Sequence, residues 1–243
     1  MMSQMHSMRR ATVLGLVLAM LASVSGYAYD EAKVENGGSV SGAVLFEGTP
    51  PERKNLNIPP NVSDNPKALS EDVIVAKAND KQMLVNAVAT LVGVEKGKPF
   101  SKDAPVLDQK LCVFVPHVVV VGAGMKLRIL NSDDVNHNVH TLGDKNPESN
   151  KTTAPKAEIS STYAEPDRIP VRCDMHGWMK AYIVVVDNPY FAVTGESGAF
   201  KIDGIPPGTY KLTVWHEKLG EQTKEVVIKG GADTTVEYSF KAK

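Results

Sequence analysis

Only two cysteines, Cys112 and Cys173, occur in 243 residues. That scarcity excludes a small scaffold held together by many disulfides. Charge is nearly balanced, with 27 basic against 28 acidic residues. A net of -1 is too small to suggest nucleic acid or an anionic membrane as a partner. Aromatic residues are few, at 6%. Apolar spacing of helical period is nearly absent, which argues against a helical bundle. Beyond the first 28 residues no apolar run is long enough to span a bilayer.

The beginning of the chain is distinct. Arg9 and Arg10 precede the uncharged run "ATVLGLVLAMLASVSG", and small residues follow in "GYA". That order predicts a secretory signal peptide over residues 1–28, cleaved after Ala28, and a periplasmic or secreted protein. No cysteine lies near the cleavage point for a lipoprotein anchor. Removing two arginines leaves 25 basic and 28 acidic residues in a mature chain with no membrane span.

The rest reads as all-β. Runs such as "GSVSGAVLFEG", "MLVNAVATLVGV", "LCVFVPHVVVV", "GMKLRILNS" and "HNVHTL" alternate or are β-branched, and Gly, Pro, Asn and Asp separate them. "AEISSTYAE", "IPVRCD" and "MKAYIVVVDN" continue the pattern. After Pro189 come "AFKIDG", "GTYKLTVWHE", "TKEVVIKG" and "DTTVEYSFKAK", with turn signals between them. Two stretches lack strand character: the Pro- and Asn-rich residues 49–72, read as an irregular connection, and the polar residues 143–156, read as a mobile surface loop.

One short stretch carries chemistry. In "VRCDMHGWMKAYIVVV" the residues Cys173, His176 and Met179 fall at intervals of three, in a turn between two strands. In an oxidising compartment the default for two cysteines is a disulfide. Joining Cys112 to Cys173 would close a loop worth about 4 kcal/mol. The competing reading is a metal site, and the two exclude each other. Thiolate, imidazole and thioether together favour copper, with a second histidine required from elsewhere. Zinc suits the set poorly, since thioether is not among its usual ligands. His137, in "NSDDVNHNVHTLG", opens a strand upstream and is the candidate.

"GMKLRILNSDDVNHNVH" followed by "VRCDMHGWMKAYIVVV" resembles the cupredoxins, the blue-copper family that includes amicyanin and plastocyanin. The resemblance covers roughly residues 110–187. It implies a Greek-key β-sandwich holding one type 1 copper, with His137, Cys173 and His176 as ligands and Met179 axial. It also implies that the Asn138 side chain ties the two ligand loops together. Cys112 is read as a buried free thiol, which cores accept readily. The amicyanin loop has Pro beside its second histidine, where this chain has Met175 and Gly177. His140, one residue out of phase with His137, is read as facing away. His117 is read as a strand-edge residue and His216 as a surface residue.

"FAVTGESGAFKIDGIPPGTYKLTVWHEKLG" resembles the carboxypeptidase regulatory-like (transthyretin-like) sandwich, whose opening strands are missing after Pro189. They are sought in "GSVSGAVLFEGTPPE" and "VNAVATLVGV". The expected organisation is a discontinuous sandwich from residues 37–95 and 189–243, with the cupredoxin domain, residues 105–188, inserted between. A linear arrangement is the alternative. The resemblances imply a one-electron carrier with transient redox protein partners and no enzymatic activity of its own. A periplasmic copper-binding, delivery or sensing protein would use the same ligands. An enzyme would need a second copper and more histidines than His117, His140 and His216 supply.

Overall fold

The structure is a computed structural model that describes residues 29–242. The expected signal peptide, residues 1–28, lies outside the described residues. Among the described residues every regular element is a strand, and no helix is long and apolar enough to cross a membrane.

Four sheets form two sandwiches. In the first, a four-stranded sheet runs in the order Glu158–Thr162, Lys126–Asn131, Val106–Lys110, Val113–Val115. Opposite it lies a five-stranded sheet, Ser149–Thr153, His137–Thr141, Asp167–Arg172, Lys180–Val186, Val118–Gly122. The core between them is built on Leu107, Phe114, Leu127, Ile129, Ile169 and Ile183.

The second sandwich draws on both ends of the described chain. Gly38–Glu47 pairs along its length with Asp233–Lys241 in parallel, and antiparallel with Ala199–Ile205. Lys81–Leu84 and Val75–Ala78 extend that sheet. The facing sheet is Phe191–Val193, Val88–Val92, Gly208–His216, Gly220–Ile228. Val40, Val44, Leu84, Leu91, Leu212 and Tyr238 fill this core. Lys180–Val186, by contrast, pairs only within the first sandwich, with Asp167–Arg172 and Val118–Gly122.

The two sandwiches also pack on each other. Val119, Val121, Ile183 and Val185 point into the first core, while Val118, Val120, Val184 and Val186 meet Val88 and Trp215 of the second. Burial on both faces explains why these two strands read as unbroken apolar runs instead of alternating.

Several expectations need correction. Residues 149–153 of the polar stretch form a strand on His137–Thr141, in register from His137 opposite Thr153 to Thr141 opposite Ser149. It is an edge strand with mostly exposed side chains, so backbone bonds hold it without an alternating apolar pattern. "MLVNAVATLVGV" is two strands, since Asn86 at φ 61° turns the chain from one sheet to the other. "LCVFVPHVVVV" likewise divides at Pro116 between the two sheets of the first sandwich. Residues 49–72 contain no strand, only the bridge of Asn55 to Leu69, and Ile58 within them is buried in the first core.

Candidate metal centre

Two turns of the first sandwich meet. One follows Lys126–Asn131 and delivers His137 as the first residue of its strand. The other, residues 173–179, joins Asp167–Arg172 to Lys180–Val186. Cys173 N–H donates to Met179 O at 3.3 Å and Met179 N–H to His176 O at 2.9 Å, so the second turn closes on itself.

The His137 and His176 Nδ1 atoms are 2.9 Å apart, and Cys173 Sγ is 3.8 Å from His176 Nδ1. These three donors all lie within 4.8 Å of one another. A first-row metal with bonds of about 2.0–2.3 Å sets its donors roughly 3–4 Å apart, so this set fits such an ion. Cys173 and His137 are buried, and His176 is half-buried. Met179 is buried in the same core as Cys173 and joins the turn through its backbone bonds.

Asn138 fastens the two turns. Its Oδ1 accepts from Asp174 N–H at 2.8 Å and Met175 N–H at 3.3 Å. Its Nδ2 donates to Asn150 Oδ1 at 2.7 Å and Asp174 Oδ2 at 3.2 Å, and its backbone N–H reaches Cys173 Sγ at 3.5 Å. Trp178 Nε1 donates to Cys112 O at 2.9 Å, tying the loop to a third element.

Sequence reasoning missed Asp133. Its Oδ2 receives His137 Nε2 at 2.9 Å, and the same carboxylate accepts the N–H groups of Leu111 at 2.6 Å and Cys112 at 2.8 Å. A carboxylate on one imidazole nitrogen fixes the tautomer that leaves the other free to ligate. The signal was present in the spacing, an acid four residues before the histidine in a polar turn. Cys112, Asp133 and His137 also lie within 4.8 Å of one another, on the far edge of the ring.

Protons follow this geometry. Burial opposes charge on Cys173, yet His137 and the surrounding backbone amides outweigh it and the thiol pKa is lowered. Burial likewise opposes charge on His137, but Cys173 and Asp133 prevail and its pKa is raised. His176 is lowered, by burial and then by the charge of His137. Cys112 is the opposite of Cys173: burial, reinforced by Asp133, pushes its thiol up to about 11. Both cysteines are free and buried, which leaves no disulfide between them.

The other histidines lie elsewhere. His140 is held by Asp174 Oδ2 at 2.9 Å and Glu148 Oε1 at 2.7 Å, away from the three donors. His117, just before the edge strand Val118–Gly122, is buried and satisfied by Glu217, as a strand-edge histidine should be. His216 is only 1% exposed, so the surface assignment is wrong. It shares the inward face of its strand with Leu212 and Val214.

Comparison with known proteins is limited. A model of polysaccharide lyase family 4, domain II, matches residues 170–236, from the last strand before the Cys173 turn into the second sandwich. No curated protein matches the chain. Among solved structures, a novel purple cupredoxin from Nitrosopumilus maritimus is 16% identical, covering 35% of this chain and 100% of that one at a TM-score of 0.30. A copper(I) form of an amicyanin mutant is 22% identical, covering 40% of this chain and 98% of its own at a TM-score of 0.32. A copper-containing nitrite reductase from Thermus scotoductus SA-01 is 17% identical, covering 41% of this chain and 26% of that chain at a TM-score of 0.33. At these scores the fold rests on the strand pairing of the chain itself.

Proposed function

We propose that the protein is a periplasmic or secreted one-electron carrier of the cupredoxin type, with one type 1 copper. The observation that carries the reading is the convergence of His137 Nδ1, His176 Nδ1 and Cys173 Sγ. His137, Cys173 and His176 would hold the ion, with the Met179 thioether as a further, weaker donor. Copper supplies the exchangeable electron; the protein supplies a fixed donor set.

Rigidity favours transfer over release. Asn138, Asp133 and Trp178 bond the two turns to each other and to their surroundings, which supports a donor set that keeps its place between copper states. His176 provides the route to the surface. Its ring lies 5.2 Å from that of Trp178, and Met175 beside it is 51% exposed. That edge offers a small apolar contact suited to transient redox partners. The second sandwich, which we read as carboxypeptidase regulatory-like, serves as a structural or docking module.

Reversible redox cycling tests the reading. The copper-loaded mature chain should be reduced and reoxidised repeatedly with its metal retained. Loss of the ion on reduction would support copper delivery or sensing instead.

A further inference from the structure

Two buried histidines meet where the sandwiches join, and neither belongs to the copper constellation. His117 lies just before Val118–Gly122 in the first sandwich, and His216 ends Gly208–His216 in the second. The His117 side chain is 5% exposed, as is that of Glu217, and His117 Nε2 bonds Glu217 Oε1 across the junction. Glu71, from the irregular segment 49–72, brings Oε2 to 3.7 Å from His117 Nδ1, near enough for attraction between charges, though that buried nitrogen makes no hydrogen bond. Three stretches of chain, distant in sequence, thus approach one imidazole. His216 accepts Lys218 N–H on Nδ1 at 3.3 Å, while its buried Nε2 has no protein partner among the described residues.

We propose that His117, Glu217 and Glu71 form a pH-sensitive clasp that binds the second sandwich and the 49–72 segment to the copper-bearing sandwich. The clasp is tightest when His117 is charged and His216 neutral, and it loosens on either side of that range.

The charges facing the pair set the signs. Lys218 stands between Asp72 at 3.1 Å and Glu217 at 3.6 Å, and Tyr182 and Lys180 approach from the strand Lys180–Val186. Burial disfavours charge on His117, but the hydrogen bond and charge of Glu217, with Glu71 and Asp72 beyond, outweigh it, and its pKa is raised from 6.5. Burial, then the charges of His117 and Lys218, drives His216 down to about 4. A raised histidine contributes stability that is complete below 6.5 and is lost as the pH rises through its folded value. A depressed one acts in the other direction. Between 6.5 and about 4 the unfolded chain takes up a proton that the folded His216 refuses, so stability falls as the pH falls. The two limbs place the junction's optimum near 6.5.

The same segment borders the copper loop. Glu71, Asp72 and His117 line a cleft with Gly177, Trp178 and Met179, so loosening the clasp would uncover one flank of that loop.

Thermal unfolding of the metal-free full chain between about pH 4 and 9 tests the clasp. His117→Gln should flatten the alkaline limb and leave the acid limb, and His216→Gln should do the reverse. Profiles of both variants running parallel to the wild type would overturn the proposal. If His117→Gln fails to fold, imidazole NMR titration of the wild type decides: His117 must titrate above 6.5 and His216 well below it, and the opposite order refutes the clasp. Neither readout involves copper, so failure here is separable from failure of the electron-carrier reading.

Discussion

A single amide side chain has the most to do in keeping the two ligand turns together. Asn138 is 3% exposed, and its Oδ1 is the acceptor for two backbone N–H groups of the Cys173 turn. Asn138→Ala removes both of these part-buried bonds, a loss of about 0.5–1.5 kcal/mol each. Denaturant unfolding of the metal-free chain should show that loss. An unchanged midpoint would mean that the turns are held by other bonds. At this scale the sequence was readable where a residue type matches a chemistry: spacing and type single out Cys173, His137 and His176, whose donor atoms the fold brings within 4.8 Å of one another. Asp133 was not singled out, because an aspartate in a polar turn looks like ordinary turn chemistry until the fold turns it toward His137.

Most strands with one buried and one wet face were legible, although Val106–Lys110, which alternates as well, was missed. Gly38–Glu47 and Ala199–Ile205 alternate, and both were found; Ser149–Thr153 does not, because its side chains mostly face solvent. Sheet changes were hidden for another reason. Asn86 and Pro116 each interrupt a continuous apolar run, and only three-dimensional pairing shows that the chain crosses to a facing sheet there. The alternation that buries Leu212 and Val214 also placed His216 inside, a signal masked by the charged residues after it. Gly42 reports on packing at the same scale. A Cβ there would run into the Val236 carbonyl and the Phe200 ring at 2.7 Å, between the two partners of Gly38–Glu47. Gly42→Ala should therefore destabilise by about 1–3 kcal/mol. A calorimetric scan indistinguishable from the wild type would contradict that packing.

For the molecule as a whole, the interface between sandwiches decides how it unfolds. Trp215 of the second sandwich lies 5.3 Å from the Tyr182 ring and beneath Arg168 of the first, within an otherwise valine-rich cluster. The wild type should melt in one transition, and Trp215→Ala, losing about 3 kcal/mol of packing, should melt in two. A single transition in both would mean that the two cores are coupled by other contacts. The central claim concerns the copper site, and the visible spectrum of the mature chain with one equivalent of Cu(II) tests it most directly. The account predicts an intense band toward the red in the wild type, lost in Cys173→Ser. A colourless wild type, or a band that survives removal of the Cys173 sulfur, would contradict it.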